Sequence, residues 1–285
     1  MIDIFKILMI ELLFHFSLSD DEYVSNWRSY PTCQIGRLQS PIEIKEYESI
    51  YANNFSFVYQ NYKQCTPEKD QNQKNYALMI INFKEEGGYI NFERGGVIKQ
   101  YQLIRAELYP ALHTIDGDGD KFNYELHLIH KKNLDFVTNK NQYRSIQDAN
   151  MYLVIVLRYS NCKEGIKCIS DNGLLNALNT PVNDFNLNKY NVFQDKRAYF
   201  YEGSFLYIPC DENVNYYIVK DFFHLKKGPK FPDFSTGNKI KKINLSNIFG
   251  RPIYKNFMNY REVLGSHYFS LKNVVVSILF IIIFL

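Results

Sequence analysis

The sequence predicts a mainly β fold with short helices, and three observations carry that expectation. Residues 101–109 and 123–130 are two runs of strand-like composition separated by a Gly117-Asp118-Gly119 turn. Residues 151–157, Met-Tyr-Leu-Val-Ile-Val-Leu, are apolar on both faces, as a strand in the interior of a sheet must be. Long helical stretches are few. Because side chains alternate along a strand, Leu103, Arg105, Glu107 and Tyr109 are expected on one face. Glu125, His127 and Ile129 are expected to share a face of the second strand, with His130 on its other side.

In chain order, the elements begin with Leu38-Gln39-Ser40-Pro41-Ile42-Glu43-Ile44. Pro41 fixes an extended backbone, and Ile42 and Ile44 fall on one strand face. Residues 76–83 and 89–92 read as two strands joined at Gly87-Gly88. The 101–109 and 123–130 pair follows, then the buried strand at 151–157. Residues 173–178 read as a short helix ended near Asn179-Thr180-Pro181, and residues 214–219 as a late strand.

A chain of 285 residues, 46% hydrophobic and 22% charged, can bury a sizeable core in one domain or two small ones. A formal charge of +3, with no repeat, heptad or paired Cys/His spacing, gives no indication of a nucleic-acid partner.

Both ends read as addresses. Residues 1–19 fit a signal peptide: Lys6 lies near the start of an apolar segment, and Ser17-Leu18-Ser19 precedes Asp20. A buried N-terminal helix is the competing reading. Residues 274–285 are uninterruptedly apolar; as a helix they would reach about 18 Å, short of a bilayer core of about 30 Å. With Gly265-Ser266 and a short spacer, residues 265–285 fit a removable GPI-attachment signal, and a tail anchor is the alternative. The expected mature domain is 20–264, attached through its C-terminus to the extracellular face of the plasma membrane.

Cysteine use agrees with export. Cys33, Cys65, Cys162, Cys168 and Cys210 are odd in number, and spacing leaves their connectivity open, although Cys162 and Cys168 are placed to close a small loop. Asn54 and Asn244 open N-x-S triplets that permit glycosylation.

The run Glu125-Leu126-His127-Leu128-Ile129-His130 resembles the Glu-Leu-His-Leu-Val-His strand of α-carbonic anhydrases. Tyr101-Gln102-Leu103-Ile104 resembles the start of their preceding strand. Gln39-Ser40-Pro41-Ile42 after Trp27, Tyr201-Glu202-Gly203-Ser204 ending at Cys210, and Asn247 to Arg251-Pro252 extend the likeness over about residues 22–262. The resemblance implies a large, twisted, mostly antiparallel sheet with some parallel pairing and short peripheral helices. It also implies a Cys33–Cys210 disulfide.

The family hydrates carbon dioxide reversibly at a zinc ion held by three neutral imidazoles. By the resemblance, His127 matches the third ligand and Glu125 the carboxylate that orients it, but Glu107 and Tyr109 stand where the first two histidines belong. Leu206-Tyr207 replaces the Thr-Thr pair, whose first threonine orients the zinc-bound hydroxide, and Leu112 replaces that threonine's Glu partner. His113 matches a structural histidine, Tyr152 replaces a small pocket residue, and no histidine between His15 and His113 can serve as proton shuttle.

These replacements imply a carbonic anhydrase-related protein without catalytic residues and without a cofactor. The alternative is a divergent carbonate dehydratase with zinc on His127, Glu107 and Tyr109. In place of the dication, Arg105, His127 or both are expected to hold Glu107, since an unpaired buried carboxylate is costly. The resulting function is a cell-surface recognition scaffold. Lys226, Lys227, Lys230, Lys239, Lys241 and Lys242 offer a basic loop to an anionic extracellular ligand.

Overall fold

The computed structural model describes residues 33, 36–52, 55–70, 77–83, 87–134, 150–162, 166–170, 172–180, 184–190, 192, 196–207, 210–225 and 251–258. The signal and tail segments, Trp27, Asn54, Asn244 and the six lysines of the basic loop lie outside them. No helix among the described residues is long and apolar enough to cross a membrane.

The strands, in chain order, are β1 (Glu43–Ile44), β2 (Ile50–Tyr51), β3 (Phe55–Asn61), β4 (Pro67–Lys69), β5 (Met79–Phe83), β6 (Tyr89–Arg94) and β7 (Val97–Pro110). They continue as β8 (Thr114–Ile115), β9 (Tyr124–Lys132), β10 (Tyr152–Ser160), β11 (Cys168–Ile169), β12 (Ala198–Gly203), β13 (Val214–His224) and β14 (Tyr254–Lys255). One α-helix among the described residues, α1 (Leu174–Asn179), starts from Gly173 at φ 85. Twelve strands form one sheet in the order β2-β14-β12-β13-β10-β9-β7-β5-β4, with β6 on β7, β3 on β6 and β11 on β13. Most pairs are antiparallel; β10–β13, β11–β13 and β2–β14 are parallel.

Position in this order explains composition. β10 lies between β9 and β13, so both its edges are paired, and apolar cores cover both its faces. Leu153, Ile155 and Leu157 enter the larger apolar core with the helical Leu174, Leu175 and Leu178, and Val154 and Val156 enter a second core on the opposite face. β7 runs to 14 residues because one edge serves two partners: its first half pairs with β6 and its second half with β5. The Gly87-Gly88 break between those partners is tight. Gly88 has φ 85, and a Cβ there would lie 2.3 Å from the Asn61 carbonyl oxygen, which leaves no residue but glycine.

The face assignment along β7 needs one correction. Leu103 does not share a face with Arg105, Glu107 and Tyr109; it packs in the larger core with Ala106 and Leu108. The cause is a register shift between Leu103 and Arg105 against β9, where an extra residue reverses the alternation. β3 was not anticipated, and β13 continues five residues past the expected end to pair beside Ser160.

His130 faces away from His127, as expected, and is fully buried. Its Nδ1 lies 3.0 Å from the Leu128 carbonyl oxygen and its Nε2 2.9 Å from the Tyr62 hydroxyl, so a neutral ring donates to the first and accepts from the second. Burial lowers its pKa from 6.5 to about 4. A proton would convert the acceptor nitrogen into a donor facing a phenol. The unfolded chain therefore takes up a proton first as pH falls. His130 is expected to remove about 3 kcal/mol of stability between pH 6.5 and 4. Urea unfolding of wild type and His130→Phe across that window checks this, with a flatter profile expected for the variant.

Two disulfides form. Cys33–Cys210 spans 177 residues, for which chain entropy gives about 5 kcal/mol. Cys162–Cys168 spans 6. Cys65 is buried outside both bridges.

Candidate active site

Two sequence motifs far apart in the chain meet beneath the site. The Ser40 amide donates to the Ser204 hydroxyl (3.1 Å), and the Ser204 amide donates to the Ser40 hydroxyl oxygen (3.2 Å). Gly203 makes this approach possible, since a Cβ at that position would lie 2.2 Å from the Ser40 hydroxyl oxygen. Arg251 clasps the same junction by donating to the Gln39 and Glu202 carbonyl oxygens.

From this floor a buried polar chain rises into the sheet. The Ser40 hydroxyl lies 3.0 Å from the Tyr201 hydroxyl, which lies 2.7 Å from His113 Nε2. His113 Nδ1 lies 2.8 Å from Glu125 Oε2, and the His113 and Leu112 amides donate to Glu125 Oε1. His127 Nε2 reaches the same Oε2 at 3.0 Å. One assignment satisfies every member: Ser40 donates to Tyr201, Tyr201 to His113 Nε2, and both imidazoles to Glu125. Although burial pushes the Glu125 carboxyl up, His113 and His127 outweigh it and hold it down to about 2. Burial also lowers the His127 pKa, against the pull of Glu125.

His113, Glu125 and His127 bring ligand atoms within 4.8 Å of one another. In the satisfied assignment both imidazoles spend an N–H on one carboxylate oxygen, so a cation among the three would have to displace both protons.

Glu107 sits directly opposite His127 in the β7–β9 register, is 1% exposed, and is turned away from solvent. Arg105 Nε lies 3.0 Å from Glu107 Oε1, and the Tyr109 hydroxyl donates to Oε2. The Arg105 contact is ionic rather than a well-directed hydrogen bond, because Oε1 has no partner of good geometry among the described residues. Burial raises the Glu107 pKa, and Arg105, Tyr109 and His127 counter it only in part. Arg105 also donates to the Tyr207 hydroxyl at 2.7 Å and lies against that ring.

The remaining substituted positions form a core of their own. Tyr109 and Leu206 are buried with Ala77 and Ile80, and Leu112 and Tyr207 pack on them. Tyr152 is not part of this cluster: it is partly buried against the second core, edge-on to Phe205 at 4.8 Å between ring centroids. Tyr207 takes the place beside Tyr109. Sequence reading missed the Tyr109–Glu107 and Arg105–Tyr207 hydrogen bonds. The first was available from spacing, since residues two apart share a strand face; the second joins segments 102 residues apart.

Residues 22–263 match the eukaryotic-type carbonic anhydrase family. The chain is similar to dioscorin dioA3 of Dioscorea japonica, 24% identical over 207 residues, or 68% of this chain and 67% of that one. It is also similar to alpha carbonic anhydrase 8 of Arabidopsis thaliana, 25% identical over 199 residues, or 66% of this chain but only 44% of that longer protein. Among solved structures, dioscorin complexed with ascorbate superposes with a TM-score of 0.55 at 18% identity, covering 85% of this chain and 95% of that one. The α-carbonic anhydrase of Thermovibrio ammonificans with the inhibitor sulfanilamide gives 0.52 at 16%, covering 80% and 91%. Those two likenesses establish the fold. On the match over nearly its whole length, the chain belongs to the eukaryotic-type carbonic anhydrase family.

Proposed function

We propose that this protein keeps the carbonic anhydrase fold without its chemistry and serves as a recognition scaffold on the outer cell surface. One observation carries the reading: the positions that would supply two zinc ligands and the hydroxide-orienting threonine are spent on each other. Tyr109 and Leu206 belong to an apolar cluster, and Glu107 is engaged by Arg105 and Tyr109.

The donor set does not fit the zinc site of carbon dioxide hydration, which holds its metal on three neutral imidazoles with a bound water of pKa about 7. Only His127 is an imidazole at those three positions, the carboxylate is tied to a guanidinium, and Arg105 brings a positive charge where a dication would bind. Export and surface display are supported by the two disulfides and by the two terminal segments read from sequence. The lysines of residues 226–242 are the proposed contact with an anionic ligand.

The competing reading, a divergent zinc-dependent carbonate dehydratase, is favoured by the retained His127–Glu125 hydrogen bond, which is how a metal-binding histidine is oriented. Elemental analysis of the purified protein beside a carbon dioxide hydration assay separates the two. Less than about a tenth of an equivalent of zinc and no rate above buffer is expected; stoichiometric zinc with sulfonamide-sensitive turnover would overturn the scaffold reading. Retention on a polyanion column that falls with added salt is expected of the basic loop. Salt-insensitive retention, or none, would remove the anionic-ligand part alone.

A further inference from the structure

We propose that Cys162–Cys168 is a thiol–disulfide exchange site, opened in the folded protein by a low-molecular-weight thiol while Cys33–Cys210 stays closed. The two bridges differ in the burial of one partner, since Cys33, Cys162 and Cys168 are half-buried and Cys210 is not exposed at all. Cys162 and Cys168 are both half-buried, so a thiolate can approach either sulfur. In the long bridge Cys210 is completely buried, and attack on Cys33 would have to expel a Cys210 thiolate away from water, where it is a poor leaving group. In the short bridge the exposed Lys167 directly precedes Cys168. Neighbouring cations stabilise a thiolate and favour its departure.

The reaction balances with the thiol as sole reductant. A thiolate attacks one sulfur of the bridge, the S–S bond breaks, and the other cysteine leaves as a thiolate that takes up a proton. A second thiol then attacks the mixed disulfide, releasing the small-molecule disulfide and the second cysteine. Two electrons pass to the protein, and the small-molecule disulfide reverses the process.

The fold makes the opening local. The chain leaves β10 at Ser160, and β11 joins the opposite edge of β13, so that Phe222 and Phe223 are flanked by β10 on one side and β11 on the other. The bridge ties the two ends of this crossover. Once it opens, β11 is held among the described residues by the two register pairs Cys168↔Phe222 and Ile169↔Phe223 and by Ile169 against the larger core. On the β10 side Arg158 remains anchored by Asp118 at 2.7 Å and by the Val219 and Lys220 carbonyl oxygens, with its guanidinium over Phe222 and Phe122. Release of β11 therefore frees one edge of β13 and leaves the sheet intact.

The test equilibrates the full chain under native conditions in glutathione buffers of increasing reduced-to-oxidised ratio. Exposed thiols are then alkylated and read by mass spectrometry, with amide exchange measured in parallel. Cys162 and Cys168 are expected to label together at a ratio at least tenfold lower than Cys33 and Cys210. Loss of exchange protection is expected only at residues 166–170 and at Phe222 and Phe223. The full-length Cys162→Ser/Cys168→Ser variant is expected to fold with Cys33–Cys210 formed and to show the same local loss in oxidising buffer. Lys167→Glu is expected to slow opening severalfold. Labelling of all four cysteines together, labelling of Cys33 and Cys210 first, or failure of the double serine variant to fold would each overturn the proposal.

Discussion

The Arg105→Gln/Glu107→His/Tyr109→His variant is expected to take up close to one zinc per chain, at least a hundredfold more tightly than the unaltered protein. Residues 107 and 109 share a face of β7, and residue 107 stands opposite His127 in register. Glu125 already accepts from His127 Nε2, which leaves Nδ1 as the coordinating nitrogen and makes the ring more basic. Two further imidazoles complete the donor set of a catalytic zinc site. Arg105 has to be replaced with them, because without Glu107 its guanidinium would stand uncompensated beside a dication. The double variant that keeps Arg105 is expected to bind at least tenfold more weakly. Elemental analysis and visible absorption after cobalt substitution give stoichiometry and geometry. The loaded triple variant is still expected to hydrate carbon dioxide poorly, since Leu206 and Leu112 supply no hydroxyl or carboxylate to orient a bound hydroxide. A triple variant that folds but takes up no metal would show that the strands do not hold those positions as the register implies.

Arg105→Met is expected to cost about 3 kcal/mol at neutral pH, by leaving a 1% exposed carboxylate without its cation. The pH dependence distinguishes this cause from lost contact area. Burial holds the Glu107 pKa above the ordinary 4.5, and removing Arg105 takes away one of the groups that counter that rise. In the variant the folded state therefore binds the proton more tightly than the unfolded chain. The Glu107 contribution to stability should be greatest below pH 4.5 and decline as pH rises through the raised value, so the deficit of Arg105→Met relative to the unaltered protein should grow over that window. Arg105→Met/Glu107→Leu is expected to recover most of the loss, because replacing both partners leaves no buried charge. Urea titrations of the three proteins between pH 4 and pH 8 measure both effects. A deficit in Arg105→Met that does not change with pH would remove Glu107 as its source.

How much of this was legible in the sequence depended on whether a residue's fate is set locally. β10 was readable because Leu153 to Leu157 are apolar on both sides, and nothing but a sheet interior accepts that. α1 was readable from its position between glycine and Asn-Thr-Pro punctuation. The reversal at Leu103 was not, because a bulge belongs to a pair of strands and arises from the register of β9 rather than from the residues of β7. β3 carries Phe55 and Phe57 at period two but is bounded by asparagines and shifts register after Phe57, so its signal is short. The continuation of β13 to His224 is bought by partners, β10 and β11, that only the folded chain supplies. At the site, motif likeness identified which positions depart from the family pattern, whereas the groups that engage Glu107 depended on which side chains the bulge and the β12 junction bring within its reach.

The apolar cluster of Ala77, Ile80, Tyr109 and Leu206 also bears on evolutionary history. A threonine restored at 206 alone would bury a hydroxyl among these residues with no carboxylate at 112 to receive it, and a glutamate restored at 112 alone would meet only leucine and tyrosine. Each lone reversion is destabilising, and only their combination is compensated. A lineage changing one residue at a time toward threonine at 206 and glutamate at 112 therefore passes through less stable intermediates.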